Sequence, residues 1–252
     1  MNEKTQHILK IVVLTVSLGI VLTYGLFVAW YCTPMVREVT CDSISIVIRD
    51  SKDLHFIEET DVRKFLDQQH VKTIGIAMNI ESMDRIERCV EEMNMVKRAE
   101  CYFDSQGCLY VEIWQRSPVY RVITPIHSYY IDTERQRMPF SKSFTAYLPI
   151  VSGQVDENFA TNELFDFIVY LQNNSFWKDH IGQIHIKPNG ELILGTKAGV
   201  SEIEFGNLEN FETKLKHLKL WYEQYPDVAF SNKYQSVSVK YDHLIYGRKF
   251  EQ

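Results

Sequence analysis

Residues 96–119 read VKRAECYFDSQGCLYVEIWQRSPV. Two runs, Val96 to Phe103 and Leu109 to Gln115, alternate apolar and polar side chains on either side of Asp104-Ser105-Gln106-Gly107, which is the pattern of a β-hairpin. Side chains on a strand repeat every two residues. Ala99, Cys101 and Phe103 therefore share the inner face of one strand, and Leu109, Val111 and Ile113 that of the other. Cys108 then points away from Cys101, so the bridge that their spacing invites is not expected. Cys89 and Cys101 read instead as small buried hydrophobes. The five cysteines (Cys32, Cys41, Cys89, Cys101, Cys108) show no metal-ligand spacing, and their odd number fits no complete disulfide framework.

Upstream of the hairpin, Ser43 to Ile48 predicts a short strand with Ile44, Ile46 and Ile48 on one face, and Asp50 to Asp53 a turn. Glu58 to Gln69 predicts a helix with Val62, Phe65 and Leu66 at helical spacing and acids in its first turn, where the helix dipole favours them. Asn79 caps a second helix, which runs to about Met93 through Met83, Ile86 and Val90. The order strand, helix, helix, strand, strand describes a small α+β module, helices on one face of a sheet, over residues 40–118.

Downstream, residues 119–247 read as a β-rich module with flanking helices. Val119 to Ile123 and Ser128 to Ile131 are strands around Thr124-Pro125, with Pro139 and Pro149 at edges or turns. Asn162 to Asn173 is a helix. Ile184 to Leu194 is a hairpin around Pro188-Asn189-Gly190. Val200 to Phe205 is a strand. Asn207 caps a helix carrying Phe211, Leu215, Leu218 and Tyr222, and Pro226 ends it. A last strand begins near Ser236. Val237, Val239 and Tyr241 face one way and Ser238, Lys240 and Asp242 the other, with a short tail after Gly247.

Ile11 to Tyr31 holds no charged residue and no polar face, and as a helix it matches the roughly 30 Å of a bilayer's apolar core. Its exit, Ala29-Trp30-Tyr31-Cys32-Thr33-Pro34, is bulky where a signal peptidase needs small side chains, and Tyr31 is wrong for a lipoprotein cysteine. Lys4 and Lys10 precede it, whereas the charges that follow roughly cancel. This places residues 1–10 in the cytoplasm and the modules, after a linker over 32–39, on the far side of the membrane.

The net charge is −6, which argues against a nucleic-acid surface. Convergent chemistry is absent as well. His180 in a loop and His185 in a strand lack a metal or acid partner pattern. Asp132 and Glu134 read as a solvated turn, and Ser152-Gly153 lacks the second glycine of a nucleophile elbow. Lys214, Lys216 and Lys219 beside Trp221 read as a solvated helix face. No catalytic, cofactor or metal site is expected.

The element order over 40–118 resembles a POTRA domain. The resemblance is carried by Val96-Lys97-Arg98-Ala99, Leu109-Tyr110-Val111-Glu112-Ile113 and the exit Arg116-Ser117-Pro118-Val119. An anchor, one such module and this exit into a β-rich region are similar to the FtsQ/DivIB family. Tyr129-Tyr130-Ile131-Asp132, Met138-Pro139 and Leu148-Pro149-Ile150-Val151-Ser152-Gly153 resemble its form in Bacteroides-type bacteria. The likeness runs from the anchor to about Lys249. It implies a bitopic inner-membrane scaffold of cell division, enriched at the septum, with its bulk in the periplasm. It would link early and late division proteins and bind FtsB, in complex with FtsL. For the terminal segment two readings stand: a strand that completes a sheet, or an edge onto which a partner adds a strand. The resemblance implies the second, with contacts from Val237, Val239, Tyr241, His243, Ile245, Tyr246 and Gly247. Val-Ser-Val-Lys-Tyr-Asp is similar to the family's Val-Asp-Leu-Arg-Tyr-Asp, so Tyr241 carries over best; His243 and Leu244 replace the family's Ser-Gly. The alternatives are a POTRA-bearing export or outer-membrane assembly factor, which usually shows tandem repeats or a long barrel, and a membrane-anchored cell-wall hydrolase.

Overall fold

The computed structural model describes residues 3–31, 40–75, 77, 79–141, 144–230, 234–241 and 244–249. Helix α1 spans Glu3–Tyr31, and its stretch Val12–Tyr31 has mean hydropathy 2.3, long and apolar enough to cross a bilayer. The hydroxyls of Thr15, Ser17 and Thr23 need no outside partner. Thr15 Oγ1 and Ser17 Oγ each donate to a carbonyl one turn back at 2.9 Å, and Thr23 does so to Gly19.

Residues 41–252 form a separate unit built on two sheets. The first has the order β1-β3-β2: β1 (Ser43–Ile48) lies parallel to β3 (Cys108–Gln115), and β2 (Val96–Phe103) antiparallel to it. Helices α2 (Glu59–Gln68) and α3 (Ile80–Glu91) pack on one face. A capping box between Glu58 and Asp61 starts α2, and Asn79 Oδ1 accepts the Ser82 N–H at the start of α3. The expected parity holds: Ala99 lies opposite Ile113, Cys101 opposite Val111 and Phe103 opposite Leu109. The four described cysteines are free thiols, and burial pushes the Cys101 thiol up to about 12. Cys32 lies outside the described residues.

The second sheet has nine strands in the order β12-β11-β10-β9-β8-β7-β4-β5-β6. In chain order these are β4 (Pro118–Ile123), β5 (Ser128–Asp132), β6 (Arg137–Pro139), β7 (Ile150–Gly153), β8 (Ile181–Ile186), β9 (Leu192–Thr196), β10 (Glu202–Gly206), β11 (Tyr234–Tyr241) and β12 (Leu244–Lys249). Between β7 and β8 run α4 (Glu157–Thr161), α5 (Glu163–Asn173) and α6 (Ser175–His180); between β10 and β11 run α7 (Phe211–Gln224) and α8 (Pro226–Ala229). These helices cover one face. Leu164, Phe167, Ile168, Trp177, Leu215 and Leu218 meet Val122, Val151, Ile184, Leu194, Ile203 and Val237 there.

The helix expected over 162–173 is α5, and a short unexpected helix flanks it on each side. Asp156 caps α4, Asn162 breaks the run at φ −116° and ψ −99°, and Asn174 caps α6. His180 therefore closes a helix instead of sitting in a loop. Asn207 is not a cap either: α7 starts at Phe211 after Asn210 in a left-handed conformation. Pro139 lies on the edge strand β6, where its missing N–H costs no ladder bond. Gly153 ends β7 at φ +100°, and a Cβ there would lie 2.0 Å from the Ile186 carbonyl oxygen. Only glycine fits.

β5 serves both cores. Tyr129 and Ile131 face the helices of the second module, whereas Tyr130, with Met138 of β6, is buried in the core of the first. At this junction Arg116 Nε donates to Asp132 Oδ2 at 2.8 Å, with Asp132 2% exposed. Asp132 also accepts the N–H groups of Glu134 and Gln136. The sequence placed it in a solvated turn. In the structure it is a buried structural carboxylate, because its partner comes from a connection sixteen residues earlier.

Candidate interaction edge at the chain terminus

A sheet edge exposes unpaired backbone groups, and two open sheets have four edges. Three are blunted here. On β1, Arg63 of α2 donates to the Ile44 carbonyl at 2.9 Å. On β2, the N–H groups of Ala99 and Cys101 donate to Glu91 and Glu87 of α3 at 3.1 and 2.5 Å. Those glutamates lie one turn apart on the helix, so one face of α3 caps alternate residues of the strand. β6 is three residues long and ends in Pro139.

The fourth edge is β12. It pairs with β11 through Val237↔Gly247, Ser238↔Tyr246 and Tyr241↔Leu244. Its outer side meets no strand, helix or side-chain cap among the described residues. Leu244 (55% exposed) and Tyr246 (44%) lie two apart on one face, with Tyr241 (65%) opposite Leu244. Ile245 packs against the core from the other face. Gly247 admits the Tyr234 ring: a Cβ there would lie 2.6 Å from Tyr234 Cδ1. Near the far end of β11, Lys240 Nζ donates to Glu191 Oε2 at 2.7 Å. That bond holds the Glu191 carboxyl below, and the Lys240 ammonium above, its ordinary value.

This arrangement revises the single terminal strand expected over 237–247, which is two strands of a hairpin. Val237 and Val239 lie on interior β11 and are 1% and 2% exposed in the core. With β10 on one side and β12 on the other, they support the edge and cannot themselves form it. Tyr241 ends β11 exposed. Ile245, Tyr246 and Gly247 lie on the edge, and His243 lies outside the described residues. The expected set omitted Leu244 and Tyr234. The apolar run Leu244-Ile245-Tyr246, following polar Asp242-His243, was the available signal for a second strand.

The other residues weighed from sequence resolve as follows. Ser152 Oγ and His185 Nδ1 lie 3.0 Å apart on adjacent strands. The neighbour of His185 on its other side is Ile193, and among the described residues no carboxylate bond to the ring orients it as a general base would need. His180 stacks on Phe176 with ring centroids 4.0 Å apart. Glu134 pairs with Lys97 at 2.9 Å. Lys214, read as solvated, is 3% exposed; its Nζ donates to the Asn207 carbonyl and Oδ1 at 3.0 and 2.8 Å. Groups of His, Cys, Asp and Glu able to hold a metal ion do not occur among the described residues.

Two family models match the chain. One, described as FtsQ/DivIB, C-terminal related, covers residues 117–246. The other, described as a POTRA-like domain, covers residues 39–114. No curated protein matches the chain.

Proposed function

The chain belongs to the FtsQ/DivIB family of division proteins, and from that premise we propose that it is a non-catalytic division scaffold at the inner membrane whose β12 edge receives a strand from FtsB, in complex with FtsL. The observation that carries this reading is the asymmetry of the edges. Helix side chains or proline blunt three of them, and the fourth is flanked by Tyr241, Leu244 and Tyr246. Main-chain hydrogen bonds to an added strand supply affinity, and an aromatic ring beside the edge supplies a low-entropy anchor. α1 holds the module at the membrane, with its amino terminus in the cytoplasm by the positive-inside argument.

The test is capture of FtsB–FtsL by the tagged full chain from solubilised membranes. Tyr246→Glu places a charge in the partner's path on a side chain that is already half exposed, so folding should be preserved. Capture is expected to weaken at least about tenfold, roughly 1.4 kcal/mol, while Ile126→Glu, an equally mild surface change elsewhere, leaves it intact. Undiminished capture by the Tyr246 variant would falsify the edge assignment. Depletion of the protein should give filamenting cells; normally dividing cells would remove the division role.

A further inference from the structure

The connection from β6 to β7 ends in Thr145-Ala146-Tyr147-Leu148-Pro149. Phe144, Ala146 and Leu148 pack against the core of the first module, while Thr145 and Tyr147 between them face outward, Tyr147 93% exposed. That alternation is a strand's. Yet from Thr145 to Leu148 the backbone makes no hydrogen bond among the described residues. The first bond comes at Pro149, whose carbonyl accepts from the Arg121 N–H at 3.0 Å, and the pairing of β7 with β8 starts at Ile150↔Gln183. Ahead of that point the two chains are unpaired with each other, and both line a cleft of about 780 Å³. Residues 145–149 form one wall, and Ile181 and Gly182 of β8 with Thr196 and Lys197 form another.

The cleft is cationic in a chain of net charge −6. Arg121, Lys178 and Lys197 line it against one carboxylate, Glu202. Among the described residues none of these cations meets a carboxylate. Arg121 donates from Nε to Ser128 Oγ at 3.0 Å and lays its guanidinium 4.2 Å from the Phe140 ring centroid, which leaves its Nη groups for a ligand. Lys197 Nζ donates to the Lys178 carbonyl at 3.0 Å and stands 5.9 Å from the Tyr147 ring centroid. Lys178 is exposed. A volume of several hundred Å³ is the size of a ligand site. A run of unpaired main-chain donors and acceptors matches another peptide backbone, which carries both in alternation. Uncompensated cations beside that run select carboxylates.

We propose that this cleft binds an extended peptide segment rich in Asp and Glu, its main chain paired with residues 145–148 and its carboxylates on Lys178, Lys197 and Arg121. Glu202 repels acids placed over β10 and so directs them to the lysines. The site is separate from the terminal edge, because β9, β10 and β11 lie between β8 and β12. It goes beyond the scaffold reading by giving the second module a second peptide site of different chemistry.

The test is fluorescence anisotropy of the full chain in detergent with a labelled, end-blocked hexapeptide that alternates Glu and Val. Two further peptides replace Glu by Gln or carry N-methyl groups on alternate amides. The Glu peptide should bind at least about tenfold tighter than either. Lys178→Glu with Lys197→Glu should weaken it at least about tenfold. Lys52→Glu with Lys64→Glu, an equal charge change at exposed positions of the first module, should leave it within about twofold. Equal binding of the Glu and Gln peptides, equal binding by parent and cleft variant, or no binding at about 1 mM peptide overturns the proposal. Undiminished binding of the N-methylated peptide overturns the main-chain pairing. Tyr246→Glu should leave the affinity unchanged; a loss there would put the peptide on the β12 edge and overturn the cleft. The comparison of peptides needs no variant, so it decides the matter even where a variant folds poorly.

Discussion

Glu112 stands on the face of β3 turned away from α2 and α3, with its side chain 9% exposed. It accepts from Arg49 Nε and Nη2 at 2.7 and 2.5 Å and from Tyr102 Oη at 2.8 Å. The Arg49 bond, then the Tyr102 bond, hold its carboxyl below the ordinary range, and the bond to Glu112 raises the tyrosine hydroxyl in turn. A depressed carboxyl stabilises the fold above its unfolded value, about pH 4.3, and that stabilisation is lost as pH falls through the folded value. Glu112→Gln should therefore lower the urea midpoint at pH 7, and the difference from the parent should shrink steadily as pH falls below about 4.3. A midpoint difference that does not shrink on acidification would show that packing, not ionisation, is at work. At this scale sequence is a good guide to side-chain direction and a poor guide to pairing. The strand period placed Ala99, Cys101 and Phe103 correctly. It could not place Lys214 or Asp132, whose partners Asn207 and Arg116 arrive across a loop and a turn.

Elements were legible wherever their punctuation was strong. Asp104-Ser105-Gln106-Gly107 and Pro188-Asn189-Gly190 mark hairpins that the structure contains, and Asn79 marks the start of α3. The terminal hairpin was hidden because Tyr241-Asp242-His243-Leu244 holds no glycine or proline, so β11 and β12 read as one strand. The short helices α4 and α6 beside α5 were not legible, because each spans only about one turn and asparagines, not prolines, set them off. The candidate edge was thus legible as a terminal β segment, but which strand forms it was not. Gly247 offers the test at this scale. In Gly247→Val the branched side chain collides with the Tyr234 ring, an overpacking that costs about 1–3 kcal/mol. Hydrogen exchange over residues 244–249 should rise while that over β8 and β9 stays unchanged, and capture of the FtsB–FtsL complex should weaken with it. Unchanged exchange would mean that the ring shifts freely and that glycine is not required there.

Across residues 41–252, the decisive feature is that the boundary between the two modules is not a hinge. Only Arg116 and Ser117 separate β3 from β4, and Arg116 is committed to Asp132 and to the carbonyls of Asn94 and Arg137. Tyr130 stands on a strand of the second sheet while its ring packs edge-on to Phe56 of the first module, centroids 5.8 Å apart. Alternate residues of one strand therefore belong to two cores, and neither core can loosen without disturbing that strand. Removing a fully buried aromatic side chain costs about 3–5 kcal/mol, and here both modules should feel the loss. Tyr130→Ala in the full chain is expected to raise hydrogen exchange in β1 to β3 and in β4 and β7 together, in a single unfolding transition. The same substitution in a pair of independent modules would loosen the first sheet alone and leave the second at the parent's rate. Joint loosening would mean that a load on the β12 edge is borne by the POTRA-like module as well.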